Sequence, residues 1–180
     1  MKIHGKIIAV SLISVGTISM NLPANAVTSG ATIISVNQTF TAPLGTVVVT
    51  GAIGDYGTIQ GADTNGKPSK ASPSPAALIK LKRGTILIDA TSMNKATATS
   101  PLVQQTTCSF STSASAVPWP IIGGTGAYKN LKGSLNATIN LGGITPTLTT
   151  GPNKGKCDFS NKFPPIASFF NALATGTITY

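Results

Sequence analysis

Ala77-Leu78-Ile79-Lys80-Leu81-Lys82-Arg83-Gly84-Thr85-Ile86-Leu87-Ile88-Asp89-Ala90 is the stretch whose reading decides the fold. Side chains two apart share one face of a strand. In the first arm Ala77, Ile79 and Leu81 fall on one face, and Lys80 and Lys82 on the other. In the second arm Ile86, Ile88 and Ala90 share a face opposite Thr85, Leu87 and Asp89. Arg83-Gly84 supplies the turn between them. The stretch predicts a β-hairpin with one buried side, and Asp89 is the carboxylate set firmly inside a strand.

Working outward, the same composition continues. Thr, Val and Ile, which favour pleated strands, recur between glycine-bearing turns. Strands are predicted over 31–40, 46–53, 58–60, 77–82, 85–91, 106–116, 134–141, 145–150, 156–160 and 175–180, the 145–150 stretch being the weaker one. Asp63-Thr64-Asn65-Gly66 is a turn: Asn-Gly favours positive φ, and the later carboxylates of a calcium loop are missing. Residues 67–75 hold three prolines and three serines and read as an irregular exposed loop. Eight or nine closely spaced strands predict an all-β domain, an antiparallel eight-stranded barrel with one short helix towards the C-terminus. That helix is expected after Pro164-Pro165, where Ile166, Phe169, Phe170 and Leu173 follow at i, i+3, i+4 and i+7 and Gly176 ends the pattern. It would plug one end of the barrel, form a lid over a cavity or present a membrane-touching patch.

The start of the chain sets the compartment. Lys2 and Lys6 precede an apolar run over 7–18, and Ala24-Asn25-Ala26 offers a small-x-small cleavage pattern. Residues 1–26 thus read as a signal peptide and 27–180 as a single secreted domain, extracellular or periplasmic. No later run is long and apolar enough for a transmembrane helix. A small outer-membrane barrel is a weaker reading, since the strands are short and the aromatics too few for two girdles. Asn37-Gln38-Thr39 and Asn136-Ala137-Thr138 match glycosylation acceptors, which matter only on a eukaryotic secretory route. An exported chain with two cysteines is expected to bridge them. Cys108 and Cys157 each precede a Phe by two residues, so strand geometry would turn both towards the core. Their bridge would close a loop of about 50 residues, worth roughly 4 kcal/mol.

Composition narrows the chemistry further. His4 is the only histidine and leaves with the signal, and the chain has no glutamate. Most acid–base, metal and nucleophile constellations are thereby excluded, and no cofactor pattern is present. Gly123-Gly124-Thr125-Gly126 lacks dinucleotide and P-loop spacing and reads as a glycine turn. Basic residues outnumber acids 13 to 4 over the whole chain. The excess suits an anionic glycan or lipid surface. The one cluster, Lys80 to Arg83, has no interleaved aromatics, so no nucleic acid is expected.

The segment Ile121-Ile122-Gly123-Gly124-Thr125-Gly126-Ala127-Tyr128, with Gly133 five residues on, resembles the Gly-Gly-Thr-Gly-aromatic…Gly stretch of the dirigent and allene oxide cyclase-like barrels. Gly51-Ala52-Ile53 to Gly57-Thr58, and Ala174 to Ile178, are similar to bacterial secreted members of that group. The resemblance implies an antiparallel eight-stranded barrel with a central cavity. It also implies a small hydrophobic ligand, whose cyclisation or coupling some members steer. It places no catalytic residue here, and the loop over 67–75 departs from the compact plant pattern. Candidate ligand-binding residues are Asp55, Tyr56, Asp89, Tyr128, Phe169 and Phe170. The alternative function is a non-enzymatic basic protein that binds anionic surfaces.

Overall fold

The computed structural model describes residues 29–39, 42, 44–98, 101–160 and 164–180. The expected signal peptide at 1–26 and its expected cleavage site lie outside them. Nine strands form one antiparallel sheet: β1 (Ser29–Thr39), β2 (Gly45–Gly51), β3 (Asp55–Ala62), β4 (Ala76–Leu81), β5 (Gly84–Asp89), β6 (Leu102–Gln104), β7 (Ser109–Gly126), β8 (Lys132–Ile144) and β9 (Ala167–Thr179). The order is β5-β4-β3-β2-β1-β9-β8-β7-β6, and β5 also pairs with β7. That last pairing closes an eight-stranded antiparallel barrel and leaves β6 as an extra strand outside it. The hairpin 77–90 forms, but its two-residue turn is Lys82-Arg83, with Leu81 opposite Gly84, rather than Arg83-Gly84, and its second face also buries Leu78 and Leu87.

The barrel strands alternate inward and outward, with register shifts between Ala114 and Val117 in β7 and between Leu87 and Ile88 in β5. Ile34 and Val36, Val47 and Val49, Ile79, Ile86 and Ile88, Leu135 and Ile139, and Ala172, Ala174 and Ile178 point inward and form one buried core with Trp119 and Tyr128. A smaller outer cluster of Ala62, Ala76, Leu78 and Leu87 lies on the opposite face of β3–β5. A Cβ on Gly66 would lie 3.8 Å from Leu87 and 3.9 Å from Leu78, so the 63–66 turn folds over this outer cluster.

The helix expected at 166–173 is instead the first half of β9. Phe170 points inward with Ala172 and Ala174, while Phe169 and Leu173 point outward. The i, i+4 pairs 166/170 and 169/173 share a face in a strand as well as in a helix, so half of the apparent helical signal was common to both periods. Long ladders to β1 and β8 on either side of β9 then decide the matter. The helix among the described residues is α1 (Thr91–Thr97), directly after β5.

The glycine segment is also strand rather than turn. Gly123, Gly124, Thr125 and Gly126 pair with β5 and form the closing seam. Glycine is required there by proximity: a Cβ on Gly126, at φ +59°, would meet the Arg83 carbonyl at 2.4 Å, and one on Gly84 would meet the Thr125 carbonyl at 2.1 Å. The turn follows at 127–130. Pro118 and Pro120 lie where β7 pairs with β8 but has not yet met β5, whose ladder begins at Ile88↔Ile121. Residues without an N–H are tolerated on such an open edge.

Cys108 and Cys157 form the expected disulfide, with Cα atoms 5.0 Å apart. Neither is in a core strand. Cys108 ends a turn before β7, at φ 52°, and Cys157 makes only an isolated bridge to Thr147. The predicted strands 145–150 and 156–160 reduce to that bridge, so the disulfide staples the 145–158 loop to the start of β7. Replacing both cysteines by serine is expected to lower stability by roughly 3–4 kcal/mol. Denaturant unfolding should show a lower midpoint; an unchanged midpoint would mean that the staple contributes nothing.

Candidate functional site

The two ends of the barrel are built differently. At one end the turns β2–β3, β4–β5 and β7–β8 converge on Asp55. Its Oδ1 accepts from the amides of Tyr56 at 2.7 Å and Lys82 at 3.3 Å. Its Oδ2 accepts from the Tyr128 hydroxyl at 2.5 Å and the Arg83 amide at 3.2 Å. Arg83 Nε lies 3.5 Å from Oδ2, and its Nη2 donates to the Ile53 and Gly54 carbonyls. Its guanidinium also sits 5.9 Å from the centroid of the Tyr128 ring. Tyr128, Leu131 and Ile53 fill the barrel end beneath this knot.

Burial alone would raise the Asp55 carboxyl. The Tyr128 hydroxyl and the amides of Tyr56, Arg83 and Lys82 outweigh it and bring the pKa down to about 2. Burial, reinforced by the hydrogen bond to Asp55, pushes Tyr128 up to about 12 against the opposing pull of Arg83. Asp55 is therefore an ion and Tyr128 a neutral phenol at ordinary pH. Every oxygen of the pair is engaged within the protein, so the knot reads chemically as a fastening.

The other end is open. A cavity of about 560 Å³ lies at the mouth, between the inner wall, α1 and the 69–74 loop. Its floor includes Trp119, Ile59, Ala77, Leu141 and Phe170, and Met93, Asn94 and Thr97 line it from α1. The lid elements are tied down: Asn94 Nδ2 donates to the Ser74 carbonyl at 2.8 Å, and the Ala90 amide to the Pro75 carbonyl at 3.0 Å. Trp119, only 1% exposed, has an indole N–H with no hydrogen-bond partner among the described residues. The Gln60 side-chain N–H₂ is likewise buried and unpartnered. A buried donor without an acceptor costs roughly 1–3 kcal/mol, and both of these border the cavity. Lys70 is the one charged residue among the described lining residues.

The sequence-predicted residues are thus distributed. Asp55 and Tyr128 meet at the closed end, 73 residues apart in sequence. Tyr56 stands beside them but outside, 59% exposed, with Lys82 Nζ 5.1 Å from its ring centroid. Asp89 ends β5, and its Oδ1 accepts from the Thr91 amide at 2.8 Å, which fixes the start of α1. The Thr91 side chain and amide hold the Asp89 carboxyl below its usual range. Phe170 lines the mouth cavity, whereas Phe169 lines a separate outer groove with Leu102, Phe110 and Ile144. Sequence reasoning missed Trp119, Gln60, Lys70 and α1. The available signal was Pro118-Trp119-Pro120, the single tryptophan flanked by two residues that cannot complete a ladder.

No group of three or more metal-binding side chains occurs among the described residues, and none of their helices is long and apolar enough to cross a membrane. Compared with protein-family models, curated proteins and solved structures, the chain matches none.

The Asp55 knot has a pH signature. Its folded pKa lies below the unfolded value of 3.8, so its stabilisation is complete above about pH 4 and is lost as pH falls towards about 2. The shift corresponds to about 2 kcal/mol. Asp55→Asn is expected to be less stable at neutral pH and to lose less stability than the wild type between pH 4 and 2. Parallel profiles in urea titrations at stepped pH would contradict this.

Proposed function

We propose that this protein binds one small, largely apolar molecule bearing a hydrogen-bond acceptor, held at the mouth of the barrel. The observation that carries the reading is the half-open cavity of about 560 Å³, with Trp119, Leu141 and Phe170 among its lining and two unpartnered buried donors, Trp119 and Gln60, on its border. Its size falls within the usual range for small-molecule sites; its lining joins apolar side chains from the barrel to serines, Asn94 and Thr97 from the loop and α1. An acceptor such as a carbonyl, ether or hydroxyl oxygen would satisfy the Trp119 indole. No carboxylate lines the cavity among the described residues, which disfavours a cationic ligand, and Lys70 tolerates an anionic group.

The resemblance of the glycine segment to the dirigent and allene oxide cyclase-like barrels points the same way, towards a hydrophobic ligand in a barrel. A cavity of this kind steers a reaction by restricting the conformers of its occupant, without an acid–base pair. Binding is the part of the reading that the lining chemistry supports directly. The disulfide accords with an exported carrier or binder.

Trp119 is the only tryptophan, so its emission reports occupancy directly. Titration with linear ketones is expected to give a saturable change in Trp119 fluorescence, and alkanes of equal length a weaker one. Ala77→Phe, which adds a ring to the cavity wall, should abolish the response. Ala71→Phe, on the loop wall, is the second blocking variant if the first folds poorly. No saturable response to any ketone, with no co-purifying small molecule in native mass spectrometry, would overturn the proposal.

A further inference from the structure

The closed end of the barrel carries a second feature, independent of the mouth cavity. Lys80, Lys82 and Arg83 occupy the end of β4 and its turn, Lys129 the β7–β8 turn, and Lys132 the start of β8. All five are exposed. The turns are neighbours, because Gly84 pairs with Gly126 and the Ala127 amide donates to the Arg83 carbonyl at 2.9 Å. The only acidic side chain at this end is Asp55, which is buried and already engaged with Arg83. Asp63, Asp89 and Asp158 all lie towards the mouth end, where β3, β5 and the 145–158 loop finish. The exposed cations of this end thus have no exposed carboxylate side chain among them, whereas Lys67, Lys70, Lys95, Lys154 and Lys156 at the mouth end share it with three aspartates.

Two tyrosines and a valine border the same rim. Tyr56 projects beside Lys82, and its cross-strand partner Val48 is 52% exposed. Tyr180 follows β9 at the same end, 40% exposed and close enough to Arg83 to feel its charge. Amphipathic rings beside lysines are the residues that settle at the level of lipid headgroups.

We propose that the closed end of the barrel docks on an anionic lipid bilayer through Lys80, Lys82, Lys129 and Lys132, with Tyr56 and Val48 entering the headgroup layer. The cations come from separate turns around a barrel end plugged by Tyr128 and Leu131, so they spread over a face rather than line a groove. Such a face matches a plane of charge better than a single polyanion chain. The exposed Tyr56–Val48 pair adds an apolar component that a bilayer can use and a soluble polyanion cannot. Docked this way, the barrel holds its mouth away from the membrane.

The test is co-sedimentation with phosphatidylcholine vesicles that contain about one-third phosphatidylglycerol, against pure phosphatidylcholine. Binding is expected only to the anionic vesicles, and weaker as salt shortens the Debye length from about 10 Å to about 3 Å. A Lys82→Ala/Lys129→Ala/Lys132→Ala variant should bind roughly 100-fold more weakly, while Lys67→Ala/Lys70→Ala/Lys95→Ala at the mouth loses far less. Tyr56→Ala should weaken vesicle binding but leave binding to dextran sulfate unchanged. All these side chains are exposed, and unchanged unfolding midpoints will show that the variants fold. Equal losses from the two lysine sets would reduce the effect to net charge. Binding to dextran sulfate without binding to vesicles would make the partner a soluble polyanion. Either result, or equal binding to neutral vesicles, overturns the proposal.

Discussion

One buried carboxylate holds three turns of this protein in register. Asp55 takes hydrogen bonds from its neighbour's amide, from both amides of the β4–β5 turn and from the Tyr128 hydroxyl, with Arg83 alongside. A carboxylate shielded from water is tolerated only when its lone pairs are met by fixed donors. Meeting them brings β3, the β4–β5 turn and the β7–β8 turn together. Those elements flank the β5–β7 seam, where the sheet must close on itself. The glycines of that seam let the backbones approach, and the knot beside it fixes where they meet.

Closing one end so firmly shapes the other. Near the mouth the small residues Ala77, Gly61 and Ala90 stand among Trp119, Leu141 and Phe170, and a cavity is left between them. The wall there is also incomplete, because Pro118 and Pro120 sit before β5 reaches β7. Helix α1 and the 69–74 loop stand over that gap and form two sides of the cavity. The segment between β3 and β4 thus does two things: its 63–66 turn shelters Leu78 and Leu87 outside the sheet, and its 69–74 loop supplies one wall of the mouth. Both oxygens of Asp55 and the Tyr128 hydroxyl are engaged with each other and with backbone amides, whereas the Trp119 indole beside the mouth cavity, like the Thr32 hydroxyl in the wall, has no partner among the described residues.

Much of the fold was legible in the sequence because strand alternation is local. The 77–90 hairpin states its faces residue by residue, and β1, β2 and β8 follow the same rule. The 166–173 segment misled because Phe169/Leu173 and Ile166/Phe170 are four apart, a spacing shared by both periods. Only the pairing partners on either side make it β9. The glycine segment suggested a turn because the sequence does not reveal that another backbone lies within 3 Å. Asp55 and Tyr128 stood out singly as scarce polar residues, but nothing local announces a contact across 73 positions. Trp119 was silent for a related reason: an unsatisfied N–H is a property of packing, invisible until the neighbours are in place.

The central claim is that the barrel is locked at the Asp55 end and open at the mouth. Residue-resolved amide hydrogen exchange tests it most directly, since local opening is cheap where fastening is absent. The amides of Lys82, Arg83 and Ala127 should exchange only through global unfolding, at rates that match the most protected core positions such as Ile79 and Ile86. Amides of α1 and of the 69–74 loop should exchange through smaller openings. Exchange at Lys82, Arg83 and Ala127 as fast as at α1 would contradict the account.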